Sequence, residues 1–223
     1  MAHHEAISKA RWLKAQKREI QFWHGQATLE QELKRVHGRY LPTIQKYAKS
    51  LPKDASILEI GCGPTCAAQL IETGKKTYID PLLDDFRRAY PGKLPKGEYL
   101  CRPAENIDKP NGSFDLILCL DALDRVMNPE LVINEIARLL KTKGVFILGI
   151  ATHPSWLAKI RYGFERFFVP LRDERFPYSY AYRGIEKTLQ RHFDIIDAAG
   201  TDKSFTPFYR KGWVFVCRRK KKI

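Results

Sequence analysis

Residues 56–150 alternate short apolar runs with segments of helical periodicity, and this alternation limits the fold more than any other feature. The apolar runs are SILEI (56–60), KTYID (76–80), EYLC (98–101), FDLILCL (114–120) and VFILGI (145–150). The helical segments between them are 64–74, 82–90 and 129–144. Strands that are apolar throughout are buried on both faces, as in a parallel sheet covered by helices. We therefore predict an α/β fold with a doubly wound, mainly parallel sheet.

The two ends of this pattern differ from its centre. Residues 8–50 repeat apolar and aromatic side chains at helical spacing, which predicts one or two helices laid against the edge or mouth of the sheet. Residues 151–183 are rich in aromatic side chains and arginine. The predicted division is an N-terminal helical cap, 1–50, followed by one domain, 51–223, in which 151–183 form a lid on the substrate side.

The net charge of +14 is concentrated in the flanks. Residues 1–55 carry 11 basic and 5 acidic side chains and 200–223 carry 8 and 1, whereas 56–150 carry 12 and 13. Basic flanks predict an acidic partner, such as a phosphate, a sugar acid, an anionic lipid head group or a nucleic acid. The alternative is a surface that only keeps the chain hydrated.

The cysteines and the N-terminal sequence indicate the cellular compartment. Five cysteines are an odd number, form no CxxC pair and lie partly in apolar runs, which predicts reduced thiols and no metal site. The N-terminus is charged where a signal peptide would be apolar, and no apolar run approaches the roughly 18–20 residues that cross a bilayer. We expect a cytoplasmic, soluble protein.

A glycine turn follows the first predicted strand, in the sequence ILEIGCGPT (57–65). Gly61 and Gly63 let a ligand approach the backbone closely, at the strand ends where open α/β sheets bind ligands. Asp80 ends the second predicted strand, where a carboxylate accepts hydrogen bonds from both hydroxyls of a ribose. A nicotinamide dinucleotide would need a third glycine at position 66, which is Cys66. The pattern therefore favours a different nucleoside ligand.

With Glu59 before the glycines and Cys62 between them, this turn resembles motif I of class I S-adenosylmethionine-dependent methyltransferases. TYIDPL (77–82) resembles the ribose-binding strand end of that family, and 104–148 resemble its motifs II and III in order. The run LDALDRVMNPELVINEIARLLKTKG is similar to the small-molecule, methyltransferase-11-like members, although Arg125 stands where histidine is usual. The resemblance covers about 55–219 and implies a Rossmann-like sheet of seven strands, closed by 193–198 and 212–219.

The resemblance also implies where S-adenosylmethionine binds. The glycines would line its methionine part, Glu59 would support the turn or a water near the amino group, and Asp80 would hold the ribose. Glu105 or the backbone of Ala104 would meet the adenine, unless Glu105 is only a solvated loop acid. The implied cofactor-binding residues are Glu59, Gly61, Cys62, Gly63, Asp80, Pro81, Ala104, Glu105, Leu120 and Asp121.

Methyl transfer needs alignment of the reacting atoms and, for some acceptors, a base. The candidate bases at the open end of the sheet are His153, Asp121 and Asp124, although His153 and Asp121 could instead cap helices. The aromatic lid segment suggests substrate contacts. The candidate substrate-binding residues are Trp156, Phe176, Tyr178 and Tyr180.

The predicted acceptor is a small molecule or a glycan- or lipid-linked group, methylated at oxygen or nitrogen, and the basic flanks are compatible with an anionic one. The lid could also lean on a membrane surface that carries such an acceptor. An RNA methyltransferase is the alternative within the enzymes, because basic flanks with interleaved aromatics suit RNA; no NPPY-like motif follows the fourth strand. A non-catalytic, cofactor-binding scaffold is the alternative from another class. The sequence does not determine an oligomeric state.

Overall fold

The computed structural model describes residues 6–25, 29–153, 175–201 and 211–220. Its helices and strands follow the chain in an alternating order. The helices are α1 (Lys9–Gly25), α2 (Leu29–Ala48), α3 (Leu83–Ala89), α4 (Pro129–Leu139) and α5 (Tyr182–Leu189), with a short 3-10 helix (Ala67–Leu70). The strands are β1 (Ser56–Ile60), β2 (Lys75–Ile79), β3 (Glu98–Leu100), β4 (Phe114–Leu120), β5 (Leu140–His153), β6 (Tyr180–Ala181), β7 (Phe193–Gly200) and β8 (Lys211–Arg219).

The strands form one sheet in the order β3-β2-β1-β4-β5-β8-β7. Strands β3, β2, β1, β4 and β5 are parallel, whereas β8 runs antiparallel to both of its neighbours. The two-residue strand β6 pairs with the end of β5 and brings the sheet to eight strands. The strand order reverses between β1 and β4, which is where open α/β sheets bind ligands. The predicted doubly wound, mainly parallel fold is confirmed.

Helices cover both faces of the sheet. On one face α4 and α5 pack on the strands through Ile133, Ile136 and Ile185. On the other face α2 packs through Val36, Tyr40 and Ile44. These side chains contact the residues of β1, β4 and β5 that point away from α4 and α5. Within the described residues, no helix is long and apolar enough to cross a membrane.

The first predicted helix, 64–74, is reduced in the structure to a four-residue 3-10 helix. Cys66 adopts a left-handed conformation, φ 44°, immediately before it. Left-handed backbone does not continue a right-handed helix, so the segment from Pro64 to Cys66 remains a turn. The prediction of a full helix after β1 was wrong.

The helix predicted over 129–144 begins at Pro129 but ends at Leu139. Leu140 is extended and pairs with Phe114, and Lys141 donates to Asp115 at 2.7 Å, so β5 starts five residues before the predicted run VFILGI. The start is fixed by Asn128, whose side chain accepts the N–H groups of Glu130 and Leu131. Cross-strand pairing therefore overrides the helical pattern at the end of this segment.

Candidate active site

A cavity of about 940 Å³, including its open mouth, lies at the carboxyl ends of β1, β2 and β4. All ten residues predicted to bind the cofactor line this cavity. Residues from α1 and α2 form its outer wall.

The glycine turn forms the floor of the cavity. Gly61 and Gly63 have φ angles of 64° and 51°, in the left-handed region that favours glycine. A Cβ atom on Gly61 would overlap the Cβ of Ala122, which belongs to the turn after β4. The Gly61 N–H donates to Ile79 O at 2.8 Å, which ties the turn to the end of β2. The turn after β1 and the turn after β4 are therefore in direct contact, and glycine is required at position 61.

Glu59 supports this turn from below. Its two carboxylate oxygens accept the N–H groups of Ala67 and Ala68 at 2.8 and 2.7 Å, at the start of the 3-10 helix. The side chain is 2% exposed, and burial raises the pKa of Glu59 to about 7, although the two backbone donors oppose that rise. Of the two roles considered for Glu59, support of the turn is the one that its contacts match.

Asp80 stands at the end of β2 and faces the cavity. Its carboxylate accepts the Gly63 N–H at 3.0 Å and the Leu82 N–H at 2.9 Å, one at each oxygen. Burial raises the pKa of Asp80 to about 6 because no cation pairs with it closely enough to offset desolvation. Each carboxylate oxygen accepts more than one hydrogen bond, so Asp80 retains capacity for two hydroxyl groups.

Asp121 stands at the end of β4, on the other side of β1, and is held quite differently. It accepts the Tyr40 hydroxyl at 2.9 Å and the Arg35 guanidinium at 2.8 Å, both from α2. Its φ angle of 52° is left-handed, which is uncommon outside glycine. Burial alone would raise the pKa of Asp121, but the adjacent Arg35 lowers it below the ordinary value. The contacts differ from those of a helix cap, which was the alternative considered for this residue.

Helix α1 closes the outer side of the cavity. Trp23 lies over the glycine turn, with a ring carbon 3.6 Å from where a Cβ on Gly63 would be. Tyr90, next to α3, donates its hydroxyl to the Trp23 carbonyl at 2.7 Å. Four side chains of α1 line the cavity at a helical spacing, and they are Trp12, Gln16, Glu19 and Trp23.

A buried charge cluster fastens α1 in this position. Glu19, 7% exposed, accepts hydrogen bonds from Trp23 Nε1 at 2.9 Å, from Arg125 at 2.6 Å and from Arg175 Nε at 2.6 Å. Burial would raise the pKa of Glu19, but the two arginines, Arg125 first, lower it overall. The Arg175 guanidinium also stacks on Phe22, 3.4 Å from the ring centre. Arg125, which replaces the usual histidine, therefore joins the loop after β4 to α1.

The predicted adenine end of the cavity is formed by the loop after β3, where Ala104 and Glu105 lie beside Pro81. Glu105 Oε1 accepts the N–H groups of Met127 and Asn128 at 2.7 and 2.9 Å. Glu105 is therefore not a solvated loop acid, because it fixes the backbone that leads into α4.

Four other predicted site residues do not line the cavity: Asp124, His153, Tyr178 and Tyr180. Asp124 is 2% exposed and His153 ends β5; neither lines the cavity. Tyr178 and Tyr180 are buried in the core and donate their hydroxyls to the carbonyls of Met127 and Leu123. Both tyrosines therefore have packing roles in the core, and their contact with a substrate stays a prediction.

Two further substrate candidates remain. Phe176 stacks under the guanidinium of Arg125, 4.8 Å from the ring centre, and so contacts a residue of the cavity wall. Trp156 lies outside the described residues, as does most of the predicted lid at 154–174.

Several lining residues were not anticipated as site residues. Glu19 lies on the same face of α1 as Trp12, Gln16 and Trp23, so the helical spacing contained a signal for it. Arg35 gave no such signal, because its contact with Asp121 joins residues 86 positions apart. Among the described residues, no group of three or more His, Cys, Asp or Glu side chains is arranged to hold a metal ion.

Comparison with known proteins relates this geometry to an activity. Residues 58–148 match a family model described as a methyltransferase domain. A search of curated proteins found no match.

Solved structures share the fold at low identity. The PH0226 protein from Pyrococcus horikoshii OT3 aligns with a TM-score of 0.66 at 15% identity, over 92% of this chain and 98% of that chain. A S-adenosylmethionine-dependent methyltransferase from Methanosarcina mazei aligns with a TM-score of 0.59 at 20% identity, over 80% and 97%. Geranyl diphosphate C-methyltransferase from Streptomyces coelicolor A3(2), in complex with Mg²⁺, geranyl diphosphate and S-adenosyl-L-homocysteine, aligns with a TM-score of 0.67 at 10% identity, over 96% and 100%.

The structural likenesses establish the fold, and the family model, which begins in β1 and ends in β5, establishes the type of domain. The cavity adds a glycine turn that leaves room for backbone contact, with the Asp80 carboxylate at the end of β2. The chain therefore carries a methyltransferase domain at 58–148, in a fold that it shares with S-adenosylmethionine-dependent methyltransferases.

Proposed function

We propose that this methyltransferase acts on a small molecule, or on the small polar end of a glycan- or lipid-linked molecule, at nitrogen or oxygen. One observation carries the proposal: α1 lies across the cavity and is fastened there by Glu19. An acceptor must fit beneath or beside this helix. A folded nucleic acid, whose base would have to reach the floor of the cavity, is disfavoured by that cover.

We propose that the ten predicted residues around the glycine turn hold the cofactor. Asp80 would accept the ribose hydroxyls, and the backbone at Gly61 and Gly63 would adjoin the amino-acid part. When bound, S-adenosylmethionine supplies a methyl group on a positively charged sulfur. The chain then has to orient the acceptor in line with that methyl group and keep water out, which α1 does with Trp12 and Trp23.

The charges in the cavity favour particular acceptors. Asp121 has a lowered pKa and both its oxygens are engaged, so it is a weak proton acceptor. Asp124 and His153 lie outside the lining, and no histidine occurs among the described residues that line the cavity. We propose an acceptor that needs little help from a base, such as an amine or an acidic oxygen. His153 is retained as a candidate only for an acceptor that extends towards the end of β5.

The arginines of the cavity give limited support to an anionic acceptor. Arg125 is already paired with Glu19 and Asp124, Arg175 with Glu19, and Arg35 with Asp121 and Glu32. Arg102 also lines the cavity, beside the predicted adenine end. The anionic character of the acceptor therefore stays part of the proposal, with Arg102 as its proposed contact.

The test is the release of S-adenosylhomocysteine in the presence of acceptor panels. Amines, phenols, carboxylic acids, free glycans and lipid-linked glycans are compared with total RNA, and Asp80→Ala serves as the inactive control. We expect turnover with one of the small-acceptor classes. Turnover that only RNA stimulates, with an RNA affinity that falls steeply as salt is added, would overturn the proposal.

A further inference from the structure

We infer that Tyr40 and Arg35 of α2 are positioning residues for cofactor binding: they fix Asp121, and through it the turn 120–122 that walls the cavity. The inference rests on the proposed placement of the cofactor beside this turn. It does not depend on which acceptor is methylated. The following observations carry it.

The side chain of Tyr40 packs directly against the backbone of the sheet. It is 1% exposed, and its ring occupies the space above Gly149 in β5, where a Cβ would come within 2.6 Å of ring carbon Cε1. This close approach needs a glycine in the middle of a strand, where glycine is otherwise unfavourable. Gly149 also pairs with Leu120 in β4. Tyr40 is therefore seated directly beside the residue that precedes Asp121.

Asp121 occupies a backbone conformation that needs support. A non-glycine residue at φ 52° is uncommon and persists where its surroundings fix it. Its N–H donates to Gly149 O at 2.9 Å, and its carboxylate receives Tyr40 and Arg35, with Arg39 also 3.8 Å away. The three side chains all belong to one helix, α2.

The turn held by Asp121 touches the glycine turn. Ala122 packs where a Cβ of Gly61 would be, so a displacement of 120–122 reaches Gly61 without passing through any other residue. Leu120, Asp121 and Ala122 all line the cavity. Loosening Asp121 therefore changes the shape of the wall that adjoins the proposed cofactor.

The same helix contains a matched control. Seven residues after Tyr40, Tyr47 donates its hydroxyl to Asp197 at 3.0 Å, and Lys46 donates to the same oxygen at 2.7 Å. Tyrosine, cation and aspartate repeat the chemistry of the Tyr40 cluster, but Asp197 lies in β7, outside the cavity. Losing this second cluster removes hydrogen bonds of the same chemical type at a more exposed position and leaves the cavity wall unchanged.

The experiment measures the affinity of the full chain for S-adenosylmethionine and for S-adenosylhomocysteine by calorimetry, with melting temperatures recorded in parallel. Tyr40→Phe keeps the ring and removes the hydroxyl, and Tyr47→Phe is its control. Arg35→Gln and Lys46→Gln form a second pair at less buried positions, which keeps the test valid if Tyr40→Phe does not fold. We expect Tyr40→Phe and Arg35→Gln to weaken both ligands equally, by roughly 3- to 10-fold, the range for one hydrogen bond.

The controls are expected to bind both ligands as the wild type does. Unchanged affinity in Tyr40→Phe and Arg35→Gln would overturn the inference, as would an equal loss in the two controls. A loss confined to S-adenosylmethionine would also overturn it, because direct charge contact with the sulfonium, rather than the shape of the turn, would then be the cause. A wild-type chain that binds neither ligand would refute the cofactor site itself, which is a distinguishable result.

Discussion

Asp80 and Asp121 end the two strands that flank β1, and they face the same cavity in opposite electrostatic conditions. Asp80 is held by neutral backbone donors, and burial raises its pKa to about 6. Burial acts in the same direction on Asp121, but Arg35 reverses it and its pKa is lowered. We interpret this contrast as two different roles. Asp80 keeps the capacity to accept hydrogen bonds from a ligand, whereas the oxygens of Asp121 accept hydrogen bonds from the protein itself.

The largest expected effect comes from removing the available carboxylate. Asp80→Ala should weaken S-adenosylhomocysteine binding at least about 100-fold, because hydrogen bonds to a charged group contribute roughly 1.5–3 kcal/mol each. Calorimetry measures the change. Asp84→Ala, an exposed acid of α3 paired with Arg87, is the control and should bind normally. Tight binding by Asp80→Ala would contradict the two different roles proposed for Asp80 and Asp121.

A change on the Asp121 side should act through its partner. Gly149→Ala places a Cβ against the Tyr40 ring and should lower the free energy of unfolding by about 1–3 kcal/mol, as overpacking in a core does. Cofactor affinity should fall with it. Denaturant unfolding and calorimetry measure the two quantities.

Gly38→Ala provides the comparison for that substitution. Gly38 lies in α2 two residues before Tyr40 and has open space around it, so alanine should stabilise the chain by about 0.5–1 kcal/mol. If Gly149→Ala and Gly38→Ala changed stability and cofactor affinity alike, the contact between Tyr40 and Gly149 would not be the cause of the changes in Gly149→Ala.

The next effect in size is the response to pH. Asp80 has a folded pKa of about 6 against an ordinary value of 3.8, so the folded chain takes up a proton there first, and this group adds stability as the pH falls through 6. Cofactor binding needs the ionised form, and its affinity should drop by up to about tenfold per pH unit below 6. Glu19 and Arg125 face Asp80 and modulate this value.

Thermal shifts with and without S-adenosylhomocysteine between pH 7.5 and 5 measure that response. The shift caused by the ligand should shrink as the pH falls, and Asp80→Asn should flatten the dependence. Asp121 has a lowered pKa and should contribute nothing in this window. A dependence that survived in Asp80→Asn would assign it to Glu59, whose pKa is about 7.

The smallest expected effect is that of Asp121→Asn. Asparagine tolerates left-handed backbone and keeps an oxygen for Tyr40, so we expect less than about a fivefold loss of cofactor affinity. The rate of methyl transfer, once an acceptor is known, should fall by a similar factor. A fall of 100-fold or more in that rate, with cofactor affinity intact, would instead identify Asp121 as a catalytic base.

The local sequence pattern predicted the structural features that depend on residues close together in the chain. The runs at 56–60 and 114–120 coincide with β1 and β4, because a strand buried on both faces is apolar at most positions. The predicted ribose contact Asp80 follows from the same logic, since it directly follows a strand that ends at this edge of the sheet. The prediction for Asp121 came instead from the family resemblance.

Contacts between distant segments were not predictable in this way. Arg35 and Glu19 meet their partners over 86 and 106 positions, which no local spacing encodes. Tyr178 and Tyr180 satisfy their hydroxyls on backbone carbonyls within the core, and sequence composition does not distinguish such tyrosines from those that line a pocket. The tertiary partner, rather than the residue type, decides these positions.

The two backbone hydrogen bonds that Glu59 accepts have a consequence for ligand selection. In folds that bind pyrophosphate, the first free N–H groups of the helix after the glycine turn face the phosphates and attract them with the helix dipole. Here Ala67 and Ala68 give their N–H groups to Glu59, and the helix is too short to carry an appreciable dipole. A diphosphate would meet an acid where it requires donors, so this turn excludes dinucleotides by electrostatics as well as by the missing third glycine.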